Sequence, residues 1–341
     1  MAAAKKKKSK LPVILGLSVL AASAIALLVL FGPNLRRTRY FYIHTGWTYD
    51  QVLATLRDSG YVRDVKSFDA LARAAKLPQH IHPGKYELKG GMSNYAIIRL
   101  LHSGKQTPVK LVINKVRTKH DFIALIAANL EADSTQLQQL LSDTGYVSEF
   151  GLDTNTILCA VIPDTYEFLW NTGADKAFRK IQKNYVHFWN EDRRQKARQH
   201  GVTPVEATTI ASIIEEETNK ADDKPDIASV YLNRLQKGMK LQADPTVKYA
   251  AGDFTIRRIA GAMLGNPSPY NTYVHSGLPP GPICTPSPAT IDAVLNSPQT
   301  DYLFFCAKAD LSGASVFAAT AAEHMKNARA YQQALNEHGI H

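Results

Sequence analysis

The sequence predicts an α+β protein that begins with a single membrane-spanning helix and continues as a small α/β module and a larger mixed α+β domain. A run of 21 residues, 11–31, contains no ionisable side chain. Residues 32–105 alternate short strand-like segments with amphipathic helical segments, and residues 106–341 combine longer helical periodicities with short strands. The predicted divisions are therefore a basic cytoplasmic tail at 1–10, the membrane helix at 11–31, the module at 32–105 and the larger domain at 106–341.

The positive charge of the chain is concentrated at its N-terminus. The 341 residues carry a formal net charge of +10, and residues 1–40 hold eight basic residues and no acidic one, so the remaining chain carries only +2. A nucleic-acid-binding face needs basic residues grouped on the folded body. The charge distribution therefore argues against nucleic acid as a partner and favours basic residues that flank a membrane helix.

The apolar run 11–31 has the length of a transmembrane helix. At about 1.5 Å per residue it spans roughly 31 Å, the thickness of the hydrocarbon layer. Five lysines precede the run and three arginines follow it, so the positive-inside rule favours a cytoplasmic N-terminus and an extracytoplasmic body. A cleaved signal peptide is the alternative, because residues 22–24 and 24–26 resemble small-residue cleavage sites. The apolar run nevertheless continues past both sites to Phe31.

Residues 32–105 are predicted to fold as strand, helix, helix, strand and helix. We expect strands at 39–44 and 85–88 and helices at 49–58, 65–75 and 94–103. This order, together with the Pro-Gly-Lys-Tyr turn at 83–86, resembles a LysM-type module, a small fold associated with N-acetylated glycans. A structural spacer is the alternative interpretation.

The larger domain is predicted to be mainly helical, with short strands. We expect strands at 110–113 and 301–306 and helices at 119–130, 134–142, 174–200, 203–217, 226–235 and 321–337. Residues 241–246 are predicted to be extended, because Pro245 stiffens them. The proline-rich segment 267–282 is predicted to form a pre-organised loop wall.

Three consecutive carboxylates end the helix predicted at 203–217. At about 100° per residue, Glu216 lies roughly 160° from the centre of the apolar arc and is predicted to face solvent. Glu217 and Glu215 lie roughly 60° and 100° from the centre, so both have the partial burial that a general acid needs to hold a proton near neutral pH. Periodicity leaves both as candidates. A solvated run of charge is the alternative.

The loops after this helix carry polar and aromatic side chains suited to sugar hydroxyls, acetamido groups and ring faces. The candidate substrate-binding residues are Gln242, Asp244, Thr246, Tyr270, Asn271, Thr272 and Tyr273. Asp244 could also be the second acid of a two-carboxylate hydrolase, although an aspartate before proline is often structural. Asp164 and His324 are candidate supporting residues, each with a purely structural role as the alternative.

No metal or cofactor is predicted from the sequence. The 11 histidines are scattered, and Cys159, Cys284 and Cys306 have no metal-ligand spacing with a histidine. One disulfide could form among the three cysteines, but their simpler role is that of small buried hydrophobic residues.

Four motifs of the larger domain, taken in order, resemble those of the endolytic murein transglycosylases, the YceG-like or MltG-type family. They are Ala-Ser-Ile-Ile-Glu-Glu-Glu-Thr at 211–218, Leu-Gln-Ala-Asp-Pro-Thr-Val-Lys-Tyr at 241–249, Ser-Pro-Tyr-Asn-Thr-Tyr at 268–273 and Gly-Leu-Pro-Pro-Gly-Pro at 277–282. The resemblance covers about 105–335 and, more loosely, 40–105. It departs at Glu216, where such proteins often carry a basic residue, and at 252–263.

The resemblance implies a lytic transglycosylase anchored in the bacterial inner membrane, with its catalytic domain on the periplasmic side. Such an enzyme cleaves the bond from N-acetylmuramic acid to N-acetylglucosamine in nascent glycan strands, leaves 1,6-anhydro ends and acts in chain termination. The resemblance matches the family's catalytic glutamate to Glu215, with Glu217 as a structural partner behind the site. Peptidoglycan glycan strands, the membrane and peptidoglycan synthases are the implied partners.

Two other functions stay open at this point. One is a membrane-tethered peptidoglycan-binding scaffold without catalysis. The other is a hydrolytic muramidase that uses Asp244 as its second carboxylate.

Overall fold

A computed structural model describes residues 10–256, 259 and 261–339 of the chain. Apart from Lys10, the predicted basic tail lies outside these residues. The chain forms two compact units, one from the residues up to Val109 with Glu167–Thr172, the other from Lys110–Tyr166 and the residues from Gly173 onward. Both mix helices with short strands, which confirms the predicted α+β class.

The N-terminal unit contains a long apolar helix followed by a small module of helices and strands. Its elements are α1 (Leu11–Phe31), β1 (Arg39–Ile43), α2 (Tyr49–Asp58), α3 (Val65–Ala74), β2 (Gly84–Leu88) and α4 (Asn94–Ser103).

Helix α1 coincides with the predicted apolar run. Within it, residues Val13–Phe31 have a mean hydropathy of 2.8 and none of their side chains is buried by the rest of the protein. By length and composition α1 can cross a membrane. Its exposed apolar surface is consistent with that role, since a soluble helix would need to cover it.

The module is built on an antiparallel pair of strands, β1 and β2, in which Phe41 lies opposite Tyr86. Local sequence signals set its helices. Thr48 begins α2 with a capping box, and the Asp64 side chain caps α3. Alternate residues of both strands are buried with the apolar faces of the helices in one core. The predicted order of strand, helix, helix and strand is therefore observed, while the likeness to LysM stays a prediction.

The larger unit is mainly helical. The elements that follow the module along the chain are β3 (Val109–Ile113), α5 (Lys119–Asn129), α6 (Ser134–Ser142), α7 (Thr144–Ser148), β4 (Asp164–Phe168), α8 (Ala174–Phe188), α9 (Glu191–Gln199), α10 (Pro204–Glu217), α11 (Lys224–Gln236), α12 (Asp244–Ala251), α13 (Pro288–Leu295), β5 (Phe304–Ala307), β6 (Ser315–Ala318) and α14 (Ala321–Glu337). Strand β3 pairs with β4, and β5 pairs antiparallel with β6.

Two predictions for this unit are wrong in detail. The single helix predicted at 174–200 is interrupted, because the Asn190 side chain accepts a hydrogen bond from the Arg193 N–H and starts a new helix, α9. The segment predicted to be extended at 241–246 enters α12, because Asp244 and Pro245 occupy the first turn of a helix, where proline needs no N–H partner.

Helix α10 lies at the centre of the larger unit and packs against α9, α11, α12 and α13. Its residues from Ala207 to Ile214 are all buried. Beyond this buried stretch, its last turn, which carries the three glutamates, reaches partly accessible surroundings. The fold therefore holds these carboxylates at the end of a fixed, buried helix.

Candidate active site

The three carboxylates at the end of α10 have three different environments. The helix starts at a capping box, in which Thr203 and Glu206 exchange side-chain to backbone hydrogen bonds. Its last residues point in directions about 100° apart. Each glutamate therefore meets a different neighbouring element.

Glu215 belongs to a polar cluster formed with α11 and α13. Its Oε2 accepts hydrogen bonds from Lys224 Nζ at 2.9 Å, from Ser287 Oγ at 3.2 Å and from Thr290 Oγ1. Burial raises the pKa of Glu215, but the hydrogen bonds from Thr290, Lys224 and Ser287 and the charge of Lys224 outweigh burial, so the pKa lies below its usual value. Glu215 is thus the ionised partner of a largely buried lysine.

Glu216 does not face solvent as helical periodicity predicted. Its side chain is 17% exposed, and its Oε1 lies 2.9 Å from Lys115 Nζ. Arg117 donates to both carboxylate oxygens, at 3.0 and 2.9 Å. The prediction is wrong because the segment that follows β3 covers a face of α10 that the helix alone would leave in water.

Glu217 lines a cavity of about 300 Å³. Its Oε2 is buried and accepts no hydrogen bond from the residues that the structure describes. Burial raises the pKa of Glu217, the negative charge of Asp244 raises it further and Lys248 lowers it, and the result is a pKa of about 7. Near neutral pH this carboxyl can therefore both donate and accept a proton. The sequence predicted instead a structural partner holding a hydrogen bond or a cation.

The cavity brings together elements far apart in the sequence. It is lined by Glu217, Tyr231, Arg234, Leu241, Gln242, Asp244, Tyr273, Phe304, Phe305 and His324. Among the predicted site residues it thus unites Glu217, Gln242, Asp244, Tyr273 and His324. The predicted residues Glu215, Asp164, Thr246, Tyr270, Asn271 and Thr272 are not part of its lining.

Asp244 and Tyr273 form one polar wall of the cavity. Tyr273 Oη donates a hydrogen bond to Asp244 Oδ1 at 2.6 Å. Burial raises the pKa of Tyr273, and the hydrogen bond to Asp244 raises it further, so the phenol keeps its proton. Asp244 remains exposed. This wall therefore offers a carboxylate oxygen and a fixed phenol to a bound molecule.

Gln242 has a strained backbone next to the cavity. Its φ of 51° lies in the left-handed region, which costs a non-glycine residue about 1 kcal/mol or more. Its N–H donates to Thr272 O at 3.1 Å, and Arg234 Nη1 donates to the preceding carbonyl of Leu241 at 2.9 Å. These bonds fix the backbone on both sides of Gln242, and Arg234 Nη1 also donates to the side-chain Oε1 of Gln242 at 3.4 Å.

Three predicted substrate-binding residues serve the loops instead. Thr246, Asn271 and Thr272 are each at most 1% exposed. Thr246 and Thr272 hydrogen-bond each other at 2.9 Å, and Asn271 Nδ2 donates to two backbone carbonyls. The structure differs from the expectation because these polar groups satisfy one another, which fixes the loop that carries Tyr273.

Two further predicted residues lie away from the cavity lining. Tyr270 packs on Tyr249, with ring centroids 4.7 Å apart. Asp164 begins β4 and accepts a hydrogen bond from Asn184 at 3.3 Å. Both have internal partners in the structure, and the roles of Tyr270 in substrate binding and of Asp164 as a supporting residue stay predictions.

His324 lines the cavity from the first turns of α14. Its ring stacks on Phe304 with centroids 5.3 Å apart, and its Nδ1 is buried without a hydrogen-bond partner among the described residues. Burial and the charge of Arg234 lower the pKa of His324. A neutral imidazole therefore faces the cavity.

Arg234 is the charged cavity residue that sequence reasoning missed, and the apolar and aromatic lining residues Tyr231, Leu241, Phe304 and Phe305 were not predicted either. Arg234 is 8% exposed, and it donates to the carbonyls of Leu303, Lys240 and Leu241. The sequence feature that could have identified it is a single basic residue among the apolar residues of the helix predicted at 226–235. A buried arginine needs hydrogen-bond partners, so its position indicates a polar site in the interior.

The chain is similar to known proteins along most of its length. A sequence model described as the YceG-like family matches residues 41–330. An endolytic murein transglycosylase of Bacillus subtilis is 31% identical over 313 residues, which cover 86% of this chain and 85% of the relative. An endolytic murein transglycosylase of Streptococcus pneumoniae is 26% identical over 78% of this chain, which spans about half (53%) of that relative.

A solved structure extends the likeness to the fold. The crystal structure of a YceG-like protein from Listeria monocytogenes superposes with a TM-score of 0.56 at 27% identity, over 85% of this chain and 98% of that one. The family match spans well over half of the chain, and the Bacillus relative exceeds 30% identity along most of both proteins. The chain is therefore a member of the YceG-like family.

Proposed function

We propose that this protein is a membrane-anchored endolytic lytic transglycosylase that cleaves peptidoglycan glycan strands between N-acetylmuramic acid and N-acetylglucosamine. The observation that carries the proposal is the cavity into which Glu217 brings a buried carboxyl with a pKa of about 7. The names of the curated relatives support the reaction class.

Glu217 is proposed to act first as the acid and then as the base. Its carboxyl donates a proton to the glycosidic oxygen as the bond to C1 of the muramyl residue breaks. The resulting carboxylate then takes the proton of the muramyl 6-hydroxyl, whose oxygen forms the new bond to C1. The proton returns to Glu217, no water is consumed, and the products are an N-acetylglucosamine end and a 1,6-anhydromuramyl end.

The geometry favours Glu217 over Glu215, the residue chosen from the sequence. A general acid must be protonated and must reach the substrate. Glu215 is held by Lys224 and two hydroxyl groups, which keep its pKa low, and it does not line the cavity. Glu217 meets both requirements. The role of Glu215 as the acid stays a prediction that the same experiment tests.

The cavity also supports a place for the substrate. Gln242, Asp244 and Tyr273 offer hydrogen-bonding groups, while the partly exposed rings of Phe304 and Phe305 offer apolar surface for sugar faces. We propose that Asp244 stabilises positive charge that develops at C1, since its carboxylate is exposed at the same cavity. If Asp244 instead activated water, the reaction would be hydrolysis.

The proposed location is the extracytoplasmic face of the bacterial inner membrane. The apolar α1 and the excess of basic residues before it support this orientation. We propose further that the enzyme terminates nascent strands, that the module at 32–105 contributes glycan binding in the manner of LysM, and that peptidoglycan synthases are its partners.

The test is a comparison of two matched variants on purified glycan strands, with mass spectrometry of the released ends. Glu217→Gln should lower the rate of cleavage at least about 100-fold, because amide cannot transfer the proton. Glu215→Gln, the same change two residues earlier, should retain most of the activity when its fold, checked by circular dichroism, is intact. Wild-type protein should release 1,6-anhydromuramyl ends.

Other outcomes would reject parts of this proposal. Loss of activity in folded Glu215→Gln with full activity in Glu217→Gln would return the acid role to Glu215. Reducing ends in place of anhydro ends would identify a hydrolytic muramidase. Glycan binding without any cleavage would identify a scaffold.

A further inference from the structure

A cleft in the N-terminal unit lies between the end of α1 and the module that follows it. Its volume is about 360 Å³. Ile25, Leu28 and Val29 form an apolar wall, because residues three and four apart share one face of a helix. Ile25 precedes the helix end at Phe31 by six residues, or about 9 Å. With α1 across a bilayer, this wall lies at the outer edge of the hydrocarbon layer.

The opposite wall of the cleft is polar and carries one charge of each sign. The guanidinium of the exposed Arg63 has no hydrogen bond or ion pair with any residue that the structure describes. Asp64 uses Oδ1 to accept the N–H groups of Lys66 and Ser67 at 3.1 and 3.2 Å. The Ser67 side chain also lowers the pKa of the Asp64 carboxyl, which remains exposed. Both charged groups are thus available to a molecule in the cleft.

The shape of the cleft is fixed by contacts between the helix end and the module. The buried Asn94 donates from Nδ2 to Val29 O at 3.0 Å and to Ser67 Oγ at 3.1 Å. The Gly32 N–H donates to Leu28 O at 2.8 Å, and a Cβ at position 32 would lie 2.3 Å from that oxygen. The two walls therefore keep their separation, and the site is formed in advance.

We propose that this cleft binds one membrane glycerophospholipid with a zwitterionic headgroup. Its phosphate would pair with Arg63, its ammonium group with Asp64, and an acyl chain would lie along Ile25 and Leu28. The charges of the headgroup complement those of the cleft. The negative phosphate and the positive ammonium group are neighbours in such a headgroup, and the positive Arg63 and the negative Asp64 are neighbours in the chain. The proposal rests on the membrane anchor of the proposed function.

The test uses the full chain in nanodiscs that contain phosphatidylethanolamine and phosphatidylglycerol in equal amounts. After transfer to mild detergent, native mass spectrometry counts and identifies the retained lipid. Wild-type protein should retain one phosphatidylethanolamine per chain. Arg63→Gln should lower this fraction about tenfold, the effect of losing one charged hydrogen bond. Arg36→Gln removes the same charge from an exposed residue outside the cleft lining and should leave retention unchanged.

A second pair of variants tests the apolar wall. Leu28→Trp fills the cleft from a side chain that is 70% exposed, whereas Leu27→Trp adds the same group at a neighbour that is 56% exposed and does not line the cleft. Only Leu28→Trp should abolish retention. Equal losses within either pair, retained phosphatidylglycerol, or a wild type without retained lipid would overturn the proposal.

Lipid retention and glycan cleavage are separate measurements, so the lipid site and the proposed reaction can fail independently. Glycan cleavage is measured on the same samples in detergent. Retained phosphatidylethanolamine without cleavage would count against the reaction alone, whereas cleavage without retained lipid would count against the cleft alone. Failure of the chain to enter nanodiscs would reject the anchor itself, and with it the lipid site.

Discussion

At the scale of single residues, the proton affinity of Glu217 follows from what surrounds its carboxyl. Burial disfavours the charged form, and the carboxylate of Asp244 adds repulsion that Lys248 only partly offsets. Glu215, two residues earlier on the same helix, has the opposite surroundings and the opposite direction of pKa change. Two identical side chains therefore acquire different chemistry from their neighbours.

The pH dependence of cleavage should report Glu217. Since the acid must be protonated, kcat/KM should fall as pH rises through about 7. Asp244→Asn removes a negative charge that raises the pKa of Glu217, so this fall should move to lower pH. The measurement is a pH–rate profile of both proteins on the same glycan. Coincident profiles would show that Asp244 does not act on the titrating group.

The free energy of unfolding should decrease as pH rises, because the pKa of Glu217 is raised in the folded state. An unfolded glutamate has a pKa near 4.3, whereas folded Glu217 has a pKa of about 7. The folded state therefore binds more protons between these values, and the free energy of unfolding should decrease as pH rises from about 4.3 to 7, by up to about 3 kcal/mol. In Glu217→Gln this decrease should be absent.

Denaturant titrations at pH 5 and pH 8 measure this effect. Glu215→Gln is the matched control, because the pKa of Glu215 is lowered, so its contribution to stability changes only below the unfolded pKa of about 4.3. The change in stability between pH 5 and pH 8 should therefore be the same in Glu215→Gln as in the wild type. An unchanged pH dependence in Glu217→Gln would contradict the raised pKa.

At the scale of elements, the site depends on how loops are fastened to α10. The Ile283 N–H donates to Ser212 Oγ at 3.0 Å, which ties the end of the proline-rich segment to the middle of the helix. Just before it, Gly281 meets the backbone of Asn155 so closely that a Cβ there would lie 2.2 Å from the carbonyl oxygen. The glycine is required by this close approach of two chain segments.

Gly281→Ala should destabilise the larger unit. The added methyl would contact backbone atoms that cannot move aside singly, so overpacking should lower the free energy of unfolding by about 1–3 kcal/mol. Gly265→Ala is the matched control, since a Cβ there would have no neighbour within 4 Å. Denaturant unfolding measures both variants. Equal stabilities would contradict the tight approach at Asn155.

At the scale of the whole molecule, local signals in the sequence predicted the bounds of helices and strands well. They did not predict which residues far apart in the sequence come into contact. The ends of α1, α2, α6 and α14 follow from an uncharged run and from capping residues close by in sequence, so they could be read directly. The helix predicted at 174–200 is interrupted at Asn190, because this residue caps α9 although the apolar pattern continues through it.

The choice between Glu215 and Glu217 lay beyond the reach of periodicity. Their angular distances from the centre of the apolar arc, roughly 60° and 100°, both gave partial burial. What distinguishes the two residues is contributed by other elements. Lys224 and Thr290 hold Glu215, whereas residues as distant as His324 complete the cavity at Glu217. Likewise, Thr246 and Thr272 could each be taken for ligand-binding groups until their mutual hydrogen bond was known.

The orientation of the whole chain gives the last prediction. Five lysines before α1 against three arginines after it should keep the N-terminus in the cytoplasm. Alkaline phosphatase, which is active only outside the cytoplasm, should therefore be active when fused after His341. The same reporter on a chain with all five lysines changed to glutamine should lose much of this activity. N-terminal sequencing should find the intact apolar run in the mature protein. A mature chain beginning near residue 25 would show that the apolar run is a cleaved signal peptide. An inactive reporter on the wild-type chain would place the three glutamates in the cytoplasm, where they could not reach the glycan.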